Sequence, residues 1–215
     1  MQIKLVILDF DGTLGDTRKN IIKTLQMTLK EMNYPVPSED KCGKTIGLVL
    51  KNAFIKLCNI SENEAELCVK KYKHIFAENK KILIPQLFSG VKETLAAFKK
   101  QNILMSIASS RTSVSLKEFV NEMGLSEYID FILGAEDVKN PKPNAEPVLK
   151  TLDHFKIAPE NALVVGDMPY DILMGKNANS FTCGVTYGNG KKQDLISAGA
   201  DFIIDNFADL QKIVF

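Results

Sequence analysis

The chain has no excess of charge of either sign: its 215 residues carry 27 lysines and arginines against 26 aspartates and glutamates, a formal charge of +1. At that balance composition offers no basic face for a polyanion, which argues against a nucleic-acid partner. Long hydrophobic runs are missing too. The N-terminal stretch MQIKLVILDF is far shorter than a membrane span and runs into acidic residues without a small-residue cleavage site. It reads as a core strand, with no role at a membrane. Cysteine is sparse, and Cys42, Cys58, Cys68 and Cys183 include no CxxC pair. A chain of this length folds without disulfide staples, so free thiols, with Cys58 and Cys68 buried, and a reducing, cytoplasmic setting are expected. Repeats and low-complexity tracts are absent as well. What is present is 45% hydrophobic residues, enough to bury a substantial core as one domain with an insertion, or as two.

Apolar runs of strand length recur at 3–10, 103–110, 131–134, 162–167, 181–187 and 202–205. Most are hydrophobic throughout rather than alternating, as a strand covered on both faces requires. Helical patterns lie between them. Val91, Leu95 and Phe98 share one stripe, and Leu116, Phe119, Val120 and Met123 share another ahead of Gly124, a candidate stop. Alternation of strand and helix predicts an α/β fold with a Rossmann-like parallel sheet. The segment 17–84 breaks the rhythm. Its stripes are helical only: Ile21, Leu25, Thr28, Leu29 and Met32; Leu50, Phe54 and Leu57; Ala65, Cys68, Val69, Tyr72 and Phe76. A structureless loop of that length is improbable, so an inserted all-helical cap domain is expected over 17–84, with the α/β core built from 1–16 and 85–215.

Four constellations could carry chemistry. Asp9-Phe10-Asp11-Gly12-Thr13 follows the first strand, and Ser109-Ser110-Arg111 ends the second. Lys142 sits between prolines in Asn140-Pro141-Lys142-Pro143, ahead of a helical run through Val148, Leu149 and Leu152. Asp167 ends the strand through Val165, with Asp171 one turn into a helix begun near Pro169. Each alone has an ordinary reading: a solvated turn, a helix N-cap, a solvated lysine, an acid facing a helix dipole. Together they lie at or just beyond strand C-termini, the edge where open parallel sheets bind ligands. Four carboxylates would repel a phosphate unless a divalent cation lay between them. The donors are hard oxygens, and no His or Cys is placed to help, which favours magnesium (Mg2+) over zinc.

In this order and context the motifs resemble those of the haloacid dehalogenase superfamily, specifically its phosphatases with a helical cap inserted after the first motif. The match spans nearly the whole chain, and the closing GADFIIDNFADL at 199–210 is similar to the tail of the phosphoglycolate phosphatase subgroup. The resemblance implies a phosphoric monoester hydrolase acting on a small phosphorylated metabolite, with phosphoglycolate the leading candidate. Asp9 would be the nucleophile, and Asp11 the acid that protonates the leaving oxygen and later activates water. Asp9, the Asp11 carbonyl, Asp167 and Asp171 would hold Mg2+, while Ser109, Ser110 and Lys142 would orient the phosphoryl group.

Ser109 replaces the commoner Thr, and Ala145 replaces a frequent Pro. Asp11 argues against halide chemistry, because the superfamily's dehalogenases lack that second acid. A β-phosphoglucomutase-type phosphomutase is the competing reading, alongside a pyrophosphatase or a sugar or nucleotide phosphatase of the same superfamily. The mutases carry a His shortly after the first motif, where this chain reads Asp16-Thr17-Arg18-Lys19-Asn20, which favours the hydrolase. A silent phosphate-binding module is a third reading, since fold alone does not fix function. Lys44, in what resembles the family's cap loop, could meet a substrate anion or simply be solvated.

Overall fold

The computed structural model describes residues 2–79 and 85–215. These divide into two compact units, one formed by Met1–Asp16 with Leu87–Phe215 and the other by Thr17–Gln86. The expected boundary at residue 84 lies outside the described residues.

The larger unit is built on β1 (Leu5–Leu8), whose four side chains are all buried. Two-residue strands follow at β2 (Gly15–Asp16) and β3 (Gln86–Leu87), too short for any sequence pattern to announce. The remaining strands are β4 (Leu104–Ala108), β5 (Phe131–Leu133), β6 (Ala162–Gly166), β7 (Phe181–Val185) and β8 (Phe202–Ile204). Six of them form one sheet in the order β5-β4-β1-β6-β7-β8, with every pairing parallel. Continuous hydrophobic runs produce this because both faces are covered. The central β1 and β6 are buried at every position, whereas the edge strands β5 and β8 keep two half-exposed residues each.

Its helices are α5 (Val91–Lys100), α6 (Ser113–Glu122), α7 (Glu146–Phe155), α8 (Pro169–Asn177), α9 (Lys192–Ser197) and α10 (Gln211–Val214). Val91, Leu95 and Phe98 of α5 are fully buried, as their spacing predicts. Thr112 caps α6 by accepting a hydrogen bond from the Ser115 amide. Gly124 stops it at φ +65°, with its amide donating to the Asn121 carbonyl and the Leu125 amide to the Val120 carbonyl. That pair of bonds is a Schellman ending, sealed by the buried Val120 and Leu125. Val148 and Leu152 of α7 and Met174 of α8 pack on Leu5, Ile7, Ala162 and Val164. Leu149, read from the sequence as part of that apolar run, is instead exposed, because it falls off the α7 stripe that faces the sheet.

The smaller unit contains α1 (Arg18–Glu31), α2 (Glu39–Gly43), α3 (Leu50–Cys58) and α4 (Glu62–Asn79). Its own core joins Ile21, Leu25 and Leu29 of α1, Cys42 and Phe54, and Ala65, Cys68 and Tyr72 of α4. All four cysteines are free, but Cys58, at the end of α3, is only half-buried where full burial was expected. Among the described residues no helix is long and apolar enough to cross a membrane.

Candidate active site

The connection leaving β4 runs outward to β5 and the chain then returns to β6, on the other side of β1. The crevice beyond the C-terminal end of β1 is therefore the topological switch point where open α/β sheets bind ligands. Register brings the chemistry to it. Leu8 pairs with both Ile107 and Val165, so Asp9 stands level with Ala108 and Gly166. Ser109 and Asp167 come one residue later on the flanking strands. After Asp9 the chain turns at once, with the amides of Leu14 and Gly15 donating to the Phe10 carbonyl at 3.1 and 3.0 Å. Gly12 makes the turn possible: its φ is +92°, and a Cβ there would collide with the Asp167 carboxylate and the Asn189 amide.

Nearly every polar group in this crevice is buried. Asp9, Asp11, Asp167 and Asp171 are 4, 8, 0 and 2% exposed, and Lys142 is 6% exposed. Solvated turns and a solvated lysine are thereby excluded. Lys142 Nζ donates to Asp9 Oδ1 and to Asp171 Oδ1, both at 2.6 Å. Asp171 also fills its helix-capping role, because its Oδ2 accepts the Met168 amide at 3.0 Å. Ser109 is not the α6 cap, since Thr112 takes that place. Instead Ser109, half-buried Ser110 and Lys142 line one small recess with Gly134 and Pro141.

Two side chains given no role at sequence level contribute to the same crevice. Arg111 brings Nε to 2.8 and 2.7 Å of the two Asp11 oxygens. Its guanidinium lies 4.8 Å from the centre of the Phe119 ring and 5.9 Å from that of Phe10, a stacked setting that suits a planar cation. Asn189, in the loop after β7, donates from its backbone amide at 2.6 Å and its side-chain amide at 2.9 Å to Asp167 Oδ2. The only sequence signal for it is Gly188-Asn189-Gly190 just beyond a strand end. Nearby, the Tyr187 hydroxyl donates to the Thr13 carbonyl at 2.9 Å, tying that loop to the first motif. Lys44 is engaged elsewhere, in an exposed pair with Asp40 at 2.7 Å.

Charge bookkeeping indicates what the crevice is built to receive. Arg111 offsets Asp11, and Lys142 offsets one of the three remaining acids, so among the described residues two negative charges are left without a counter-charge in a buried space. One oxygen from each of Asp9, Asp167 and Asp171 lies within 4.8 Å of the others. Crowding and burial favour the protonated forms of Asp9 and Asp167. Burial, aided by Asp171 and Asp11, outweighs the pull of Lys142 and raises Asp9 from 3.8 to about 7. Burial together with Asp9 and Asp171 pushes Asp167 well above the carboxylate range, against the Asn189 hydrogen bonds. Burial disfavours the charged form of Lys142, but Asp171 and Asp9 together prevail and hold it above its ordinary value, as an ammonium. A buried, all-oxygen donor set short of two positive charges fits a hard divalent metal ion.

A pH dependence follows. Asp9 binds its proton more tightly folded than unfolded, so the stability it contributes in chelator is complete below about pH 4 and is lost as pH rises through about 7. Asp167 has the same sign. The carboxylates shifted the other way, such as Asp201 and Asp209, act below that window. The melting temperature in EDTA is therefore expected to fall between pH 5 and pH 8, and Asp9→Asn to flatten the fall. A wild-type melting temperature independent of pH over that range contradicts the charge assignment.

With this geometry in view, a family profile described as haloacid dehalogenase-like hydrolase matches residues 6–185. The chain belongs to that family. A phosphoglycolate phosphatase of Aquifex aeolicus (strain VF5) is 30% identical over 212 residues, covering 99% of this chain and 97% of its own. The pyrophosphatase PpaX of Halalkalibacterium halodurans is 31% identical over 215 residues, covering 100% and 98%. A haloacid dehalogenase-like family hydrolase from Streptococcus pneumoniae, SP0104, shares the fold at a TM-score of 0.87 with 22% identity, covering 99% of each chain. The expected α/β fold and family resemblance hold, and the protein is a phosphatase of the haloacid dehalogenase-like class.

Proposed function

We propose that the protein is a Mg2+-dependent phosphatase of small phosphorylated metabolites that works through an aspartyl-phosphate on Asp9. The observation that carries this reading is the buried Lys142 ammonium bridging Asp9 and Asp171 beside Asp167, at the switch point of the sheet. Asp9, Asp167, Asp171 and the Asp11 carbonyl would hold the metal, whose positive charge would offset the negative charge on the reacting phosphoryl group. An Asp9 carboxylate oxygen attacks phosphorus and the bond to the leaving oxygen breaks. Asp11 delivers a proton to that oxygen, then takes one from the water that attacks phosphorus, releasing phosphate and restoring Asp9. Lys142, Ser109 and Ser110 orient the phosphoryl oxygens, and the 17–84 insertion is assigned the role of a substrate-selecting cap. Free thiols suit a cytoplasmic setting.

For the substrate, phosphoglycolate is supported by the tail at 199–210 and by the Aquifex relative, pyrophosphate by the Halalkalibacterium relative. Phosphate release with Mg2+ across phosphoglycolate, pyrophosphate, hexose phosphates and nucleoside monophosphates tests the proposal. EDTA is expected to abolish release and Mg2+ to restore it. The highest kcat/KM names the substrate class. Release undiminished by EDTA rules out the metal assignment, and conversion of β-glucose 1-phosphate to the 6-phosphate without net release identifies a mutase.

A further inference from the structure

Asp167 is enclosed by a loop that none of the four motifs includes. Gly188, Asn189 and Gly190 follow β7 and wrap the start of the β6 to α8 connection. A Cβ at Gly188 would collide with the Asp167 side chain and the Gly12 carbonyl, and one at Gly190 with the Asp167 carbonyl. Glycine on each side of Asn189 thus allows the backbone to approach closely enough for the asparagine to reach two separate segments. Its backbone N–H and Nδ2 both donate to Asp167 Oδ2, at 2.6 and 2.9 Å. Nδ2 also faces the backbone carbonyl of Asp11, at a longer 3.4 Å. A carboxylate and a carbonyl are both acceptors, so the amide must present its nitrogen to them, and an NH2 group has two hydrogens to share.

We infer that Asn189 is a positioning residue for the divalent cation, fixing the Asp167 carboxylate and the Asp11 carbonyl in one mutual arrangement. This rests on the metal assignment proposed above and extends it to a residue outside the motifs. Two donors on Oδ2 prevent the carboxylate from rotating, and the same amide ties the first-motif turn to the β6 end. The oxygens of two segments far apart in sequence are thereby set before the cation arrives. Partners of this kind behind metal ligands typically govern affinity by 10- to 100-fold.

The experiment is isothermal titration of the full chain with Mg2+, and with Mn2+ as a second probe, alongside the melting temperature in EDTA. Asn189→Ala is expected to raise the metal Kd by about tenfold or more with the melting temperature in EDTA unchanged. Asn189→Ser keeps a polar tip but is too short to span both oxygens, and is expected to shift Kd the same way, which covers the case of an alanine variant that does not fold. A Kd within threefold of wild type in the folded variants overturns the inference while leaving the metal site standing. A loss of affinity that appears only with a matching loss of melting temperature also overturns it, since the loop is then a packing element. Wild-type protein that binds neither cation overturns it together with the reading beneath it.

Discussion

Asp9→Asn is expected to lower phosphate release by about four orders of magnitude or more, because it removes the only atom that forms a bond to phosphorus in the proposed first step. The substitution is nearly isosteric, and it takes one negative charge out of a buried group already short of positive charge. In chelator the variant is therefore expected to melt no lower than wild type at pH 8. Circular dichroism and a phosphate assay on the same preparation separate the two effects. A folded variant that keeps more than a tenth of wild-type activity rules out Asp9 as nucleophile.

Lys142→Met carries the second large effect, on both stability and catalysis. The lysine side chain is 3% exposed, against Asp9 and Asp171 at 4 and 2%. Methionine fills a similar volume but leaves two buried carboxylates without their common partner. Breaking a buried pair by removing one member costs about 3 kcal/mol or more. The loss is expected to shrink at low pH, where the carboxylates take up protons, and chemical denaturation at pH 5 and pH 8 measures it. Activity is expected to fall by about a hundred- to a thousandfold, the usual range for losing one preorganised donor to a charged reacting group. Lys142→Arg is expected to recover little of either, since a planar guanidinium does not replace a compact ammonium between two carboxylates. A stability unchanged by Lys142→Met at pH 8 contradicts the bridging arrangement.

How far the sequence announces this molecule depends on the range of the interactions. Strands β1, β4, β6 and β7 are legible because burial on both faces makes them continuous apolar runs, and their limits lie within two residues of the runs. Helices α1, α3 and α4 are legible from their stripes, since each buries one face in a local core, whereas the five-residue α2 is too short to show one. The acids and Lys142 could be recognised as a set, but not as buried. Neither could the ion pairs that hold them, because Lys142 lies 133 residues from Asp9. The roles of Arg111, named with Ser109 and Ser110, and of Asn189 are hidden for the same reason. Arg111 meets Asp11 across 100 residues and Asn189 meets the Asp11 carbonyl across 178, separations at which no periodicity or turn signature operates. The short strands β2 and β3 leave no pattern, and the exposure of Leu149 depends on where α7 meets the sheet.

The covalent step is tested most directly by mixing enzyme, Mg2+ and the best substrate of the panel, quenching in acid within milliseconds, and reading the peptide around residue 9 by mass spectrometry. A phosphoryl adduct on Asp9, absent in Asp9→Asn and decaying as phosphate appears, is the expected result. Rapid phosphate release with no adduct on Asp9 at any quench time would mean that water attacks the substrate directly and that Asp9 has another role.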